Sequence, residues 1–367
     1  MAPFVLQSGA DKCFLGIRDC FPLYPGKMSF AQENPLLSKP VCSILKLHRE
    51  RPVRSHFFMK GRDQNVKFDV HCHAFPSHGY IPNGGKLGDP YFLSVEQQLQ
   101  MFEDHDVDMG LLLPLIHYEI VPYVQTNKEI KETCEKYPDK FLYFMSMDPR
   151  MFMRDPKADF SRYIEYHLER GARGVGEMCA NMPFEHPLMD NMLYWINQYK
   201  LPLTIHISPT PYYVYGIYDD YDLSGLERVL NKYPDIKFFG HSAEFWSRIS
   251  GDKQYRGYPK GPVEPDGPVV RLLEQYPNLY GDMSAGSGLN AMTRDPKFTA
   301  WFMEKFQDQL MFGMDFCRLV PKEQPTLSKL VDQLLAEGTI SRTVYDKICW
   351  DNAAKNLGFK TVAELTK

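Results

Sequence analysis

His71 and His73 flank one cysteine in KFDVHCHAF, at the end of a short apolar run. Side chains alternate along extended backbone, so two imidazoles two positions apart share a face while Cys72 turns the other way. Two nitrogen donors on one face offer adjacent positions to Zn2+ or a similar divalent ion. A single strand-end histidine is ordinarily a hydrogen-bonded core or surface residue, so the metal reading needs further groups at the same place. Of the 11 histidines, two more close apolar runs: His206 in LPLTIHI and His241 in IKFFGHS. Asp315 closes QLMFGMD, and Glu177 falls near the end of RGVGEMC. Asp69, two positions before His71, is expected on the inward face one layer lower, where a carboxylate would orient a ligand imidazole.

Groups so far apart in sequence meet only if a fold gathers the ends of their strands. From Lys67 onward, short strand-like runs alternate with amphipathic stretches of helical length, the pattern of βα units around a parallel sheet. The runs are KFDVHCH, MGLLLPLI, KFLYFMSM, RGVGEMC, LPLTIHI, IKFFGHS, NLYGDMS and QLMFGMD. Eight such units over about 290 residues fit an α/β fold of the (β/α)8 type, a TIM barrel, better than an open doubly wound sheet. HCHAFPSHG after the first run carries no GxGxxG phosphate fingerprint, which removes the main argument for the open sheet. In a barrel, functional side chains gather at the C-terminal ends of the strands, and the polar residues named above fall there. The organisation expected is an irregular N-terminal extension over residues 1–66, the barrel over 67–358 and a C-terminal tail over 359–367.

Bulk properties narrow the partners. A net charge of −4 with both signs interspersed gives no electrostatic case for nucleic acid or a membrane surface, so a small-molecule substrate is expected. No apolar run approaches the roughly 20 residues that span a bilayer. MAPFVLQSGADKCF lacks the basic and apolar regions of an export signal, so a cytoplasmic location is expected. The eight cysteines form no CxxC pair and suggest neither a disulfide framework nor a zinc knuckle. The extension and a tyrosine-rich loop make a homo-oligomer, a dimer, the expected assembly.

FDVHCH, IHIS, GHSAEFW, GDMSAGSG, FGMDF and the terminal WDNAAKNLGF together resemble the amidohydrolase-related branch of the amidohydrolase superfamily. That branch includes metal-dependent hydrolases and the aminocarboxymuconate-semialdehyde and resorcylate decarboxylases. The resemblance covers about residues 67–358. It implies a divalent ion, Zn2+ first among the expectations, held by His71, His73, His206 and Asp315, with His241 as general acid/base. Binuclear relatives bridge two metals with a carboxylated lysine on the fourth strand. RGVGEMC has no lysine, and Glu177 stands at that position, so one metal is expected, with Glu177 binding substrate, orienting water or bridging a second ion.

Such an ion lowers the pKa of bound water to roughly 7 and supplies hydroxide for attack on an amide, ester or lactone carbonyl. Asp315 then takes a proton and His241 supports the oxyanion or protonates the leaving group. The alternative is non-oxidative decarboxylation of an aromatic or muconate-type acid with the same donors; a barrel that only binds is a third reading. Decarboxylation calls for a cation near the site, and Arg318 is the candidate. Tyr212 and Tyr213 in SPTPYYVYGIYDDYD are expected to touch substrate, and Glu244 and Trp246 after His241 to shape the pocket.

Overall fold

The computed structural model describes residues 65–77, 92–120, 123–212, 214–253 and 257–365. Nearly all of the expected N-terminal extension, and Tyr213, lie outside the described residues. Among the described residues, eight strands form the ring: β1 (Phe68–Cys72), β2 (Met109–Leu112), β3 (Phe141–Tyr143), β4 (Val175–Met178), β5 (Pro202–Ser208), β6 (Lys237–His241), β7 (Leu279–Asp282) and β8 (Leu310–Met311). All neighbouring pairs are parallel, β1–β2–β3 in one ladder and β4–β5–β6–β7–β8 in another. Two seams join the ladders. Met145 bridges Val175, with Gly176 N donating to Met145 O at 3.0 Å; on the other side Val70 N donates to Phe312 O at 3.1 Å and Asp315 N to His71 O at 3.0 Å. The ring therefore closes as a (β/α)8 barrel, as the alternation of the sequence requires.

Local chemistry sets the helices that follow the strands. Ser94 and Gln97 form a reciprocal capping box at the start of Val95–Asp104, and Thr126 and Glu129 do the same for Asn127–Lys136. Proline occupies the first turn of Pro187–Gln198, Pro268–Gln275 and Pro296–Lys305, where its missing N–H costs nothing. The stretch SRTVYDKICWDNAAKNLG forms Arg342–Asp346, a π-helical turn Lys347–Asp351, and Asn352–Leu357. Within that turn the Ile348 carbonyl accepts from Phe312 N at 2.9 Å, so the helix opens where it is tied to the chain just after β8. Among the described residues, no helix is long and apolar enough to cross a membrane.

The lower half of the barrel is filled by Phe68, Val70, Met109, Leu111, Phe144, Phe239 and Met311, all buried. Trp350 closes it from below, edge-on to Phe68 with ring centroids 6.0 Å apart. Residues 359–365, from the segment expected as a tail, contribute to this closure. Phe359 lies 4.7 Å from the Phe68 ring, Lys360 O accepts from Trp350 Nε1 at 2.8 Å, and Val362–Leu365 is a short helix against the same cluster. Aromatic rings thus plug the bottom of the barrel.

Candidate functional site

The β1 imidazoles owe their direction to an irregularity. Pairing with β2 runs Phe68 to Met109 and Asp69 to Gly110, then slips before Cys72 meets Leu112. Val70 consequently packs in the inner apolar layer, and Asp69 does not stand behind a ligand imidazole as expected. Its carboxylate instead accepts from the backbone N–H of His71 at 3.0 Å and of Met314 at 2.8 Å, pinning the end of β1 to the segment after β8. Complete burial pushes the Asp69 carboxyl up to about 7.

His71 Nδ1 lies 2.7 Å from Asp282 Oδ2, and His73 Nδ1 lies 2.9 Å from the Leu113 carbonyl. A carbonyl only accepts, so His73 carries its proton on Nδ1 and turns a bare lone pair outward at Nε2. The carboxylate sets His71 the same way. Their two Nε2 atoms face each other at 3.1 Å, with Glu177 Oε2 at 3.6 Å from the first and 3.4 Å from the second. Neutral imidazoles would set lone pair against lone pair there. A cation shared there, a proton on His71 or a metal ion, removes the conflict, and two nitrogens on one tetrahedral Zn2+ lie about 3.3 Å apart.

The remaining groups close on the same point. His206 Nδ1 is 2.7 Å from Glu177 Oε1, which fixes its ring. His241 is held by Ser284 Oγ at 2.9 Å from Nδ1, and its Nε2 stands 3.6 Å from Asp315 Oδ2. Asp315 also places Oδ1 at 3.9 Å from His73 Nε2 and takes the left-handed φ of +47°. Ser242, directly after His241, has φ +112°, so strained backbone sits beside both groups, as it often does where a site is held rigid. Three overlapping triads have donor atoms within 4.8 Å of one another: His71, His241, Asp315; His71, His73, Glu177; and Glu177, His206, His241. Each triad contains Glu177 or His241, so the expected tetrad of His71, His73, His206 and Asp315 is interleaved with the two residues given other roles.

The electrostatics fit a bound cation. Burial alone would lower His71, yet the carboxylates of Asp282, Asp315 and Glu177 push it well above the usual histidine range. Despite its own burial, Glu177 is held well below the carboxylate range by His71 and His206, and Asp282 is lowered by His71. Burial, then the neighbouring His71, push His241 down to about 4. Three buried or nearly buried carboxylates thus stand around the imidazoles of His71, His73 and His241. Nitrogen and oxygen donors of this kind suit a divalent metal.

Two cavities open on the cluster. An inner one of about 270 Å3 is lined by His73, Glu177, Phe92, Ile120 and Tyr123 among others, and an outer one of about 610 Å3 by His241, Ser242, Tyr258 and Arg318 among others. His206, Tyr215, Asp315 and Cys317 line both. Arg318 lines the outer cavity. Tyr212 is not: it is 74 % exposed and lines neither cavity. Tyr215 from the same loop takes that place, with its ring 4.5 Å from His206. Glu244 and Trp246 also lie outside both linings. Glu244 is buried 3.6 Å from Arg248, and Trp246 packs in the core and donates from Nε1 to Asp282 O at 2.7 Å. Glycines make room for it: a Cβ on Gly281 would come within 2.9 Å of the Trp246 ring. Asp282 and Tyr215 were not anticipated from sequence, although Asp282 closes a strand just as His241 does.

A family model described as amidohydrolase matches residues 68–359. Among solved structures, a TIM-barrel protein of Bordetella bronchiseptica is 14 % identical over 83 % of this chain and 99 % of its own, with a TM-score of 0.54. A protein described as a 2-pyrone-4,6-dicarboxylic acid hydrolase from Pseudomonas putida is 16 % identical over 80 % and 98 %, also at 0.54. A 2,6-dihydroxybenzoate decarboxylase from Rhizobium is 15 % identical over 82 % and 99 %, at 0.49. No curated protein sequence matches the chain.

Proposed function

The chain belongs to the amidohydrolase family, and from that premise we propose that it is a metal-dependent hydrolase acting on an ester, amide or lactone of a small molecule. The observation that carries the reading is the pair of Nε2 atoms 3.1 Å apart, their Nδ1 atoms engaged and Glu177 Oε2 beside them. In this reading His71, His73, Glu177 and Asp315 hold one divalent ion, Zn2+ by preference, and Glu177 keeps His206 in place. When bound, the ion supplies Lewis acidity that polarises a substrate oxygen and acidifies water.

The chain's own groups do the rest. Asp315 Oδ2 receives the proton that the attacking water loses. His241 Nε2, 3.6 Å from that oxygen, carries the proton to the leaving group, its ring fixed through Nδ1 by Ser284. Asp282 touches no substrate. It stands behind two imidazoles, 2.7 Å from His71 Nδ1 and 3.6 Å from His241 Nδ1, and sets the direction of both.

Decarboxylation would use the same donors but needs a cation facing the departing carboxylate. Among the described residues that line the inner cavity there is none, and Arg318 lies on the outer one. The test is a panel of aryl esters, lactones and amides beside a coupled carbon dioxide assay with hydroxybenzoates and muconate-type acids. Ester or amide turnover that needs the metal supports the hydrolase. Carbon dioxide release without it replaces this reading with the lyase.

A further inference from the structure

The reacting groups stand at the neck between two chambers, not at the end of one. His206, Tyr215, Asp315 and Cys317 belong to both walls, so a carbonyl held at Asp315 has open space on either side. The two chambers differ in character. The inner wall is Phe92, Leu115, Ile120, Tyr123 and Cys179, a mostly apolar and aromatic surface. Its outlying carboxylate, Glu119, is already engaged: Arg150 meets both of its oxygens at 2.8 Å, and Asn181 N donates to Oε1 at 3.0 Å. A substrate carboxylate laid against this apolar wall would lose its water with no side-chain cation of the wall to meet it. The outer chamber contains Arg318, exposed and without an ion pair among the described residues, with Gln324 and Thr326 nearby in its wall. His241, the proton carrier, lines only the outer chamber, whereas His73 and Glu177 line only the inner one.

We propose that the substrate is a two-armed ester or amide: a flat apolar acyl arm fills the inner chamber, and a leaving alcohol or amine bearing an anionic group extends past His241 to Arg318. This assignment rests on the hydrolase reading. One water is consumed. Its oxygen bonds to the acyl carbon, the bond from that carbon to the ester oxygen or amide nitrogen breaks, and the proton taken by Asp315 reaches the leaving atom through His241. The products are a carboxylic acid with an apolar body and an alcohol or amine that keeps its anionic group.

The polarity is testable with three probes on the metal-loaded full chain. O-Benzoylglycolate carries its charge on the leaving arm, ethyl benzoate carries none, and monoethyl terephthalate carries it on the acyl arm. The expected order of kcat/KM is O-benzoylglycolate first, by about 10-fold or more over ethyl benzoate, and monoethyl terephthalate last. In Arg318→Met the ratio of the first to the second falls toward one through a rise in KM for the charged probe; Arg318→Lys keeps part of the preference. Arg318 is exposed, so neither change threatens folding, and metal content checks that the site is intact. Turnover of the esters with the terephthalate preferred, or with a ratio unmoved by Arg318→Met, overturns the polarity and leaves the hydrolase standing. No ester turnover by a metal-loaded protein removes both.

Discussion

The two ends of this barrel are built from the same strands and hold opposite chemistry. On β6, Phe239 fills the lower interior and His241, two residues on, faces the cavity; two strands round the ring, Met311 of β8 lies below and Asp315, four residues on, above. The lower end is closed by Trp350 and Phe359, so its residues contribute dispersion and removal of apolar surface from water. The upper end gathers four imidazoles and three carboxylates at the cost of desolvation, a donor set that suits a divalent cation. Stability is concentrated below and function above, with Asp69, bonded to His71 N and Met314 N, at the boundary.

That division predicts contrasting responses. The largest is at the top: His71→Ala should lower kcat/KM on the order of 10^3-fold or more. Bound metal should fall to almost nothing with it. A variant that keeps both its metal and its turnover would erase the contrast. At the bottom, Phe239→Ala should destabilise by about 3–5 kcal/mol in urea titration and leave the metal bound per folded chain unchanged.

A buried imidazole without carboxylates sharpens the comparison. His167, on the buried face of the helix Ser161–Leu168, is pushed down to about 4 by burial and then by Arg170. The unfolded chain binds this proton more readily than the folded one, so the contribution is intact above pH 6.5 and drains as pH falls to about 4. It reaches at most about 3 kcal/mol. His167→Gln should remove that part of the slope when stability is measured from pH 7 to 4; an unchanged slope would mean the ring is protonated when folded. The smallest effect expected is Asp282→Asn, which should weaken metal affinity by about 10–100-fold while metal at saturation restores most turnover. Affinity equal to wild type would show that Asp282 does not orient His71.

Much of the upper end was legible because strand alternation and the strand-end rule act on each residue locally. His71, His73, His206, His241 and Asp315 are found that way, and the barrel brings them together. What escaped depends on neighbours that no local pattern names. The slip between Asp69 and Cys72 moved Asp69 from ring orientation to backbone capping, and Asp282, reaching His71 from β7, took the orienting place. Trp246 follows the site in sequence, but Gly281 leaves a hollow that draws the indole into the core. Tyr215 rather than Tyr212 meets His206 because the loop folds back there, pairing Ile217 with Ile207. The C-terminal segment looked like a tail because its apolar residues are few, yet Phe359 finds a partner in Phe68.

Metal analysis of the protein purified without chelator, beside His73→Ala treated identically, tests the whole account most directly. About one equivalent of a divalent ion per wild-type chain and almost none in the variant is the expected result. A folded wild-type protein that carries no such ion and takes none up on titration, or a variant that binds as well as wild type, would contradict it.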